Sequence, residues 1–141
     1  MQKMTEAEWR DFVMTGTRTG KVAILGTDDG PQVTPVWFAL DGDDLVFTTA
    51  SSGRKAAALR RDPRLAICVD DQAPPYAYVM IRGTATLSED PGELLKWATF
   101  LGGRYMGPDR AALYGARNAV PGECLVRVHI TKVVAQRDIA A

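Results

Sequence analysis

The chain has 141 residues, of which 46% are hydrophobic and 24% charged, and its formal net charge is zero. This length is close to the commonest domain size, so we expect a single domain spanning residues 1–141. The composition excludes a disordered or low-complexity chain. Because a neutral chain has no general attraction to nucleic acid or an anionic membrane, we expect neither partner, and any anion site must be local.

The cysteines and the N-terminus indicate a cytoplasmic protein. Cys68 and Cys124 are far apart, lie in apolar runs and form no CxxC motif. We therefore expect buried free thiols rather than a disulfide or a metal site. The opening MQKMTEAEWRDFV carries acidic residues and has no apolar core of signal-peptide length, and no run approaches transmembrane length. We expect a soluble, cytoplasmic protein.

The first third of the chain predicts one helix followed by three strands. The helix has a capping box, with Thr5 as N-cap and Glu8 at N3, and it stops at Gly16. The strands are rich in β-branched and aromatic residues, and DDG and DGD turns separate them; they are KVAILGT, PQVTPVWFAL and DLVFTTA. Their short connections predict a meander.

The middle of the chain predicts a helix between two strands. The segment Ser51 to Arg61 begins with serines, has alanines and Leu59 inside, and ends at Asp62-Pro63. RLAICV is a fourth strand candidate. YAYVMIRGTATL alternates strictly, which predicts a long fifth strand with one face formed by Val79, Ile81, Gly83, Ala85 and Leu87.

The last third predicts two helices and a closing strand. DPGELLKWATFLGG has Asp90 as N-cap and Pro91 at N1, and PDRAALYGAR predicts a shorter helix. ECLVRVHITKVVAQ is a long strand whose one face is formed by Cys124, Val126, Val128 and Ile130. Six strands joined mostly by hairpins, with inserted rather than alternating helices, predict an antiparallel barrel and not a doubly wound sheet.

The junction TTASSGRKAAALRRDPR, Thr48 to Arg64, concentrates four hydroxyls and five cations against one acid. A helix N-terminus presents unpaired amides and a positive dipole end, so this junction can hold an anion. Gly53 would let backbone approach the anion closely. The alternative is that the serines only cap the helix and the cations form a solvated face; these cations are Arg54, Lys55, Arg60, Arg61 and Arg64.

The same junction resembles the cofactor signature of the flavin-binding split β-barrel superfamily, typified by pyridoxamine 5-phosphate oxidase. The resemblance runs from about Gly20 to the C-terminus. It implies a mainly β fold, a six- to seven-stranded antiparallel split barrel with short flanking helices. It also implies that Arg54 and Lys55 bind a cofactor phosphate with Thr49 as hydroxyl partner. Gly53 stands where the family has a serine, and Ser52 lies one position earlier. The implied phosphate side of the site comprises Thr48, Thr49, Ser51, Ser52, Arg54, Lys55 and Arg60.

A second match is TPVW, which is typical of the actinobacterial branch that uses the 5-deazaflavin coenzyme F420. In the family this strand lies along the polar edge of the cofactor ring, a position held here by Thr34, Pro35, Val36 and Trp37. Trp37 could equally be a core residue. The resemblance further implies a homodimer in which Tyr78 reaches across the interface to the cofactor, although barrel packing is an alternative role. Trp97 and Phe100 are expected to be core or dimer contacts.

These matches predict an F420-dependent reductase that transfers hydride to a small conjugated or unsaturated acceptor. No catalytic side chain and no metal site is expected, because His129 is the only histidine. The chain ends at VVAQRDIAA, without the Arg- and Trp-bearing segment of pyridoxamine 5-phosphate oxidase, so oxidation of that substrate is not expected. The alternatives are an FMN-binding oxidoreductase and a non-catalytic carrier of a cofactor or haem-type ligand on the same barrel.

Overall fold

The computed structural model describes residues 1–26 and 30–141. Across these residues the chain forms eight strands, four α-helices and a 3₁₀ turn at Pro108–Arg110. The strands are β1 (Gln2–Lys3), β2 (Gly20–Ile24), β3 (Gln32–Val36), β4 (Ala39–Asp41), β5 (Asp44–Ala50), β6 (Arg64–Asp71), β7 (Ala77–Ser88) and β8 (Glu123–Arg137). The helices are α1 (Glu6–Met14), α2 (Arg54–Arg61), α3 (Pro91–Met106) and α4 (Ala111–Asn118).

The strands form one curled antiparallel sheet in the order β3-β2-β6-β7-β8-β5-β4, with the short β1 paired beside β8. The long β7 and β8 occupy its centre, and their pairing is interrupted at Arg82 and Gly83, where Thr131 is the extra residue of β8. A side chain at Gly83 would collide with the carbonyl of His129, so the bulge requires glycine. The predicted mainly β split barrel with flanking helices is confirmed.

The predicted meander of the first three strands is wrong. The segment predicted as one strand over residues 31–40 is broken at Trp37 and Phe38, giving β3 and β4, which lie at opposite ends of the strand order. Phe38 is fully buried, so the chain crosses between the two sheet edges by inserting an aromatic ring into the core. Pro35 is tolerated because β3 is an edge strand. The predicted DGD turn between β4 and β5 is confirmed, whereas Asp28 and Asp29 of the predicted DDG turn lie outside the described residues.

Two predicted helix caps are confirmed and one is wrong. Thr5 and Glu8 form the capping box, with N···O distances of 3.2 and 2.9 Å, and Asp90 caps α3 through the amide of Glu93 at 2.9 Å. The serines do not cap α2, which begins at Arg54 after Gly53 and has no side-chain cap. Within the described part of the chain, no helix is both long and apolar enough to cross a membrane.

The core has two layers, one on each face of the sheet. Inside the curl, fully buried side chains such as Phe38, Phe47 and Ile81 pack with Trp9 and Val13 of α1. On the outer face, Leu94, Trp97 and Leu101 of α3 cover β4, β5 and β8. This cover explains why Leu125 is buried although it lies on the opposite face of β8 from Cys124 and Val126.

The two cysteines are free thiols. Cys124 is fully buried and Cys68 is half-buried. Burial raises the pKa of each thiol above its ordinary value, and a nearby acid adds to the effect in both cases. Both side chains therefore stay protonated at neutral pH and behave as small apolar residues, in agreement with the sequence-based expectation.

Candidate functional site

Two sequence segments that were predicted to bind a cofactor line a single cavity. This cavity has a volume of about 360 Å³ and lies where the ends of β3 and β5 meet the start of α2, the end of α4 and the start of β8. It is lined by Pro35, Val36, Trp37, Thr48, Thr49, Ala50, Lys55, Asn118 and Glu123. Six of the twelve predicted site residues are therefore brought together around one space. We refer to it as the junction cavity.

The cation of the junction cavity is Lys55, in the first turn of α2. Its side chain is half-buried, and its Nζ lies 6.0 Å from the centroid of the Phe47 ring. Burial lowers the pKa of the Lys55 ammonium below its ordinary value. Within residues 1–26 and 30–141, this ammonium forms no hydrogen bond or ion pair. A half-buried cation without a partner is favourable to an anionic ligand, so the donor set fits a phosphate.

Thr48 and Thr49 add two neutral donors beside that cation. They lie near the end of β5, opposite Leu125 and Cys124 of β8, and this pairing fixes their backbone in the sheet. Both side chains are half-buried, and in the described part of the chain neither hydroxyl has a hydrogen-bond partner. A hydroxyl can donate to a phosphate oxygen without adding charge. The strand end therefore complements Lys55 as part of an anion site.

Trp37 also lines the junction cavity, and two tyrosines fix its position. The Trp37 ring stacks on Tyr105 with a centroid distance of 5.2 Å and an interplanar angle of 5°. Tyr114 contacts Trp37 edge-on at 6.0 Å. The Tyr105 hydroxyl donates to the carbonyl of Arg18 at 2.7 Å and accepts from the amide of Phe38 at 3.3 Å. Trp37 thus presents an aromatic surface that is held in place before any ligand arrives.

Five predicted residues lie near the junction cavity but do not line it. Arg60 donates to Ser51, to its carbonyl at 2.6 Å and to its hydroxyl at 2.9 Å, so these two side chains hold the loop before α2. The Ser51 amide also donates to the carbonyl of Gly122 at 2.7 Å, which ties that loop to β8. The side chains of Thr34, Ser52 and Arg54 are exposed.

Tyr78 lies at the other end of the sheet. It is the second residue of β7 and pairs with Gln136 near the end of β8, whereas the junction cavity is lined by Glu123 at the start of β8. Tyr78 does not line the junction cavity of its own chain, and its contribution to a partner's site stays a prediction.

Four residues of the site were not predicted from the sequence. Ala50, Asn118 and Glu123 line the junction cavity, and Tyr105 supports Trp37. Alternation along β8 identified its buried face but not which strand it pairs with, and the pairing with β5 is what places Glu123 opposite Ala50. Tyr105 carries no local signal, because its hydroxyl partners lie 67 and 87 residues away.

Two other cavities are lined by charged side chains that form ion pairs with one another. In a cavity of about 400 Å³ beside α1, Arg18 pairs with Asp71 at 3.6 Å and Arg137 pairs with Glu8 at 3.1 Å. In another, of about 460 Å³, Arg10 pairs with Asp43 at 3.2 Å. Paired charges offer less to an ionic ligand than the unpaired Lys55 does.

The single histidine is not part of the junction cavity. The His129 side chain is 69% exposed, and its Nδ1 lies 3.4 Å from Asp44 Oδ1. Its neighbour Arg127 forms ion pairs with Asp41, Asp44 and Glu93, which raise its pKa. Within the described ranges, no group of three or more His, Cys, Asp or Glu side chains is arranged to hold a metal ion.

Comparison with solved structures places this architecture among known split barrels. The conserved hypothetical protein Rv2991 of Mycobacterium tuberculosis is 28% identical with a TM-score of 0.84, and the alignment covers 98% of this chain and 89% of that one. A structure described as an F420 reductase is 26% identical with a TM-score of 0.68, covering 87% of this chain and 94% of that one. A FAD-binding protein of Mesorhizobium loti, 19% identical, shares the fold with a TM-score of 0.64 over 95% of each chain.

No curated protein shows significant sequence similarity to this chain. The sequence profile described as pyridoxamine 5'-phosphate oxidase, however, matches residues 5–137, which include every strand from β2 to β8 and the whole junction cavity. The chain therefore belongs to the pyridoxamine 5'-phosphate oxidase family.

Proposed function

We propose that the protein is an oxidoreductase that binds coenzyme F420 in the junction cavity and reduces a small conjugated or unsaturated acceptor. The observation that carries this proposal is that three residues of the TPVW motif, Pro35, Val36 and Trp37, line the same cavity as Lys55. TPVW is typical of the F420-using branch of the family, and an F420 reductase is among the similar structures. When bound, the reduced deazaflavin would supply a hydride.

The protein's own residues would bind and orient rather than take part in bond-making. Lys55 supplies the positive charge for a phosphate, and Thr48 and Thr49 supply neutral donors. Val36 and the fixed ring of Trp37 form the wall on which a planar ring system can rest. Orientation of two stacked reactants lowers the barrier to hydride transfer. The proton that the reduced acceptor takes up would come from solvent, so no general acid of the chain is required.

The alternative ligand is FMN, since the same phosphate cradle would serve either cofactor. Titration of the purified protein with F420 and with FMN, followed by fluorescence, separates the two. We expect the dissociation constant for F420 to be at least about tenfold lower, a difference of roughly 1.4 kcal/mol.

Turnover is then tested with reduced F420 under air, using tetrapyrroles, quinones and enones as acceptors and recording the return of the oxidised cofactor's absorbance. Tight FMN binding with oxygen consumption would contradict the F420 assignment. Tight F420 binding without turnover on any acceptor would favour a cofactor or haem-type ligand carrier instead.

We also propose that the active form is a homodimer. The edge strand β3 exposes Val33 with 64% of its surface accessible, and Leu25 at the end of β2 is 44% exposed. An uncovered edge strand bearing apolar side chains invites pairing or packing with another chain. We expect a molecular mass near twice 15.3 kDa by light scattering at micromolar concentration. A stable monomer under these conditions would contradict the proposal.

A further inference from the structure

The junction cavity contains a carboxylate that a plain phosphate site would not need. Glu123 starts β8, lines the cavity together with Lys55, and is half-buried. In residues 1–26 and 30–141, its carboxylate forms no hydrogen bond or ion pair, and it is not within ion-pair distance of Lys55. Its backbone is fixed, because its amide donates to Val120 at 3.1 Å and it pairs with Ala50 across the sheet.

A carboxylate beside an anion site repels a bound phosphate, and the repulsion depends on the charge of that phosphate. An ionised carboxylate accepts hydrogen bonds but cannot donate one to a phosphate oxygen. Its repulsion of a phosphate grows in proportion to the charge on that phosphate. A phosphate monoester carries close to two negative charges above its second pKa of about 6, whereas a phosphodiester carries one. The cost of approaching Glu123 is therefore greater for the monoester.

We propose that Glu123 is a specificity-determining residue that disfavours phosphate monoesters, such as FMN, relative to phosphodiesters, such as the tail of F420. The proposal rests on the proposed function, because it assumes that the cofactor phosphate lies near Lys55. Lys55 and Glu123 then have different roles in recognising the cofactor. Lys55 attracts any phosphate, and Glu123 sets how much negative charge that phosphate can carry.

The test is the variant Glu123→Gln, which removes the charge and keeps the shape. Dissociation constants for FMN and F420 are measured at pH 8, where the monoester is a dianion. We expect FMN to bind about 10-fold more tightly to the variant and F420 only about 3-fold more tightly, because the repulsion from Glu123 scales with the charge on the phosphate beside it. Glu123→Thr, a second neutral variant suited to a strand, should change the ratio of the two constants in the same direction.

The matched control is Glu89→Gln. Glu89 is an exposed carboxylate that, like Glu123, raises the pKa of the Cys124 thiol. It does not line the junction cavity. We expect both dissociation constants to stay within about 2-fold in this control. Equal improvement of FMN and F420 in Glu123→Gln, or weaker FMN binding, would overturn the specificity role while leaving the proposed function intact. Failure of the native chain to bind either cofactor would overturn both proposals.

Discussion

Replacing Lys55 with alanine is expected to weaken cofactor binding by about 10- to 150-fold. The physical reason is the loss of one charge-assisted contact to phosphate, worth roughly 1.5–3 kcal/mol. Lys55 is the ammonium that lines the junction cavity, and it has no counter-ion in the described ranges, so nothing competes with the ligand for it. The measurement is a fluorescence titration of the variant with F420.

The control for this prediction is Arg61→Ala, a change of the same charge in the same helix. Arg61 lies at the end of α2, is exposed, and donates to the carbonyl of Leu25 at 3.3 Å, away from the junction cavity. We expect Arg61→Ala to change the dissociation constant by less than about 3-fold, which is the effect expected from removing a screened surface charge. Equal effects of the two variants would mean that the cations act only as a solvated face.

Folding of Lys55→Ala must also be intact for the result to be informative. Burial already disfavours the charged form of Lys55, as the lowered pKa shows, so removing the ammonium relieves a desolvation cost. We therefore expect the melting temperature of the variant to be equal to or slightly above that of the native chain. A weakened affinity with unchanged melting then reports the cofactor contact alone.

Local signals in the sequence were enough to predict most elements of this fold. Strict alternation in YAYVMIRGTATL predicted β7, and its inward positions Val79, Ile81 and Gly83 are indeed buried. The capping residues Thr5 and Asp90 predicted the starts of α1 and α3. These signals succeed because a cap and an alternating strand depend on neighbours within a few residues.

The failures come from interactions between distant segments. The break at Trp37 and Phe38 separates two strands that local propensity joins, because closing the barrel requires the chain to pass from one sheet edge to the other. The serines before α2 resemble N-caps, but Ser51 instead bonds to Gly122 and Arg60. Propensity reports what a residue can do locally, and tertiary partners decide which option is used.

The same distinction divides the candidate site. Its resemblance-based half, Trp37, Thr49 and Lys55, was predicted because the motifs are contiguous in sequence. Glu123 was not, since its place in the junction cavity follows from the pairing of β8 with β5. No local sequence motif marks Glu123, because strand pairing places it in the cavity. Only the assembled sheet shows that it shares this cavity with Lys55.

Arg104 is expected to be the most important charged residue for stability. Its guanidinium donates to three backbone carbonyls, those of Val13 at 2.7 Å, Gly16 at 3.1 Å and Phe38. Val13 lies in the last turn of α1 and Gly16 lies just beyond the helix, where a cation also interacts favourably with the helix dipole. The third lies in the crossing between β3 and β4. One side chain of α3 therefore joins the N-terminal helix to the two edges of the sheet.

Replacing Arg104 with methionine should lower the free energy of unfolding by about 2–4 kcal/mol and the melting temperature by roughly 6–12 °C. Methionine keeps most of the apolar contact with Phe38 and Tyr105 but leaves three carbonyls without their donor. Arg104→Lys should recover only part of the loss, since one ammonium cannot match the geometry of a planar guanidinium.

The control is Arg117→Met. Arg117 is an exposed arginine of α4 that donates to the adjacent Asn118. Its replacement should change the free energy of unfolding by no more than about 0.5 kcal/mol. Urea unfolding of the four proteins measures the free energies, and thermal unfolding measures the melting temperatures. A melting temperature for Arg104→Met within about 2 °C of the native chain would show that water replaces the guanidinium at no cost.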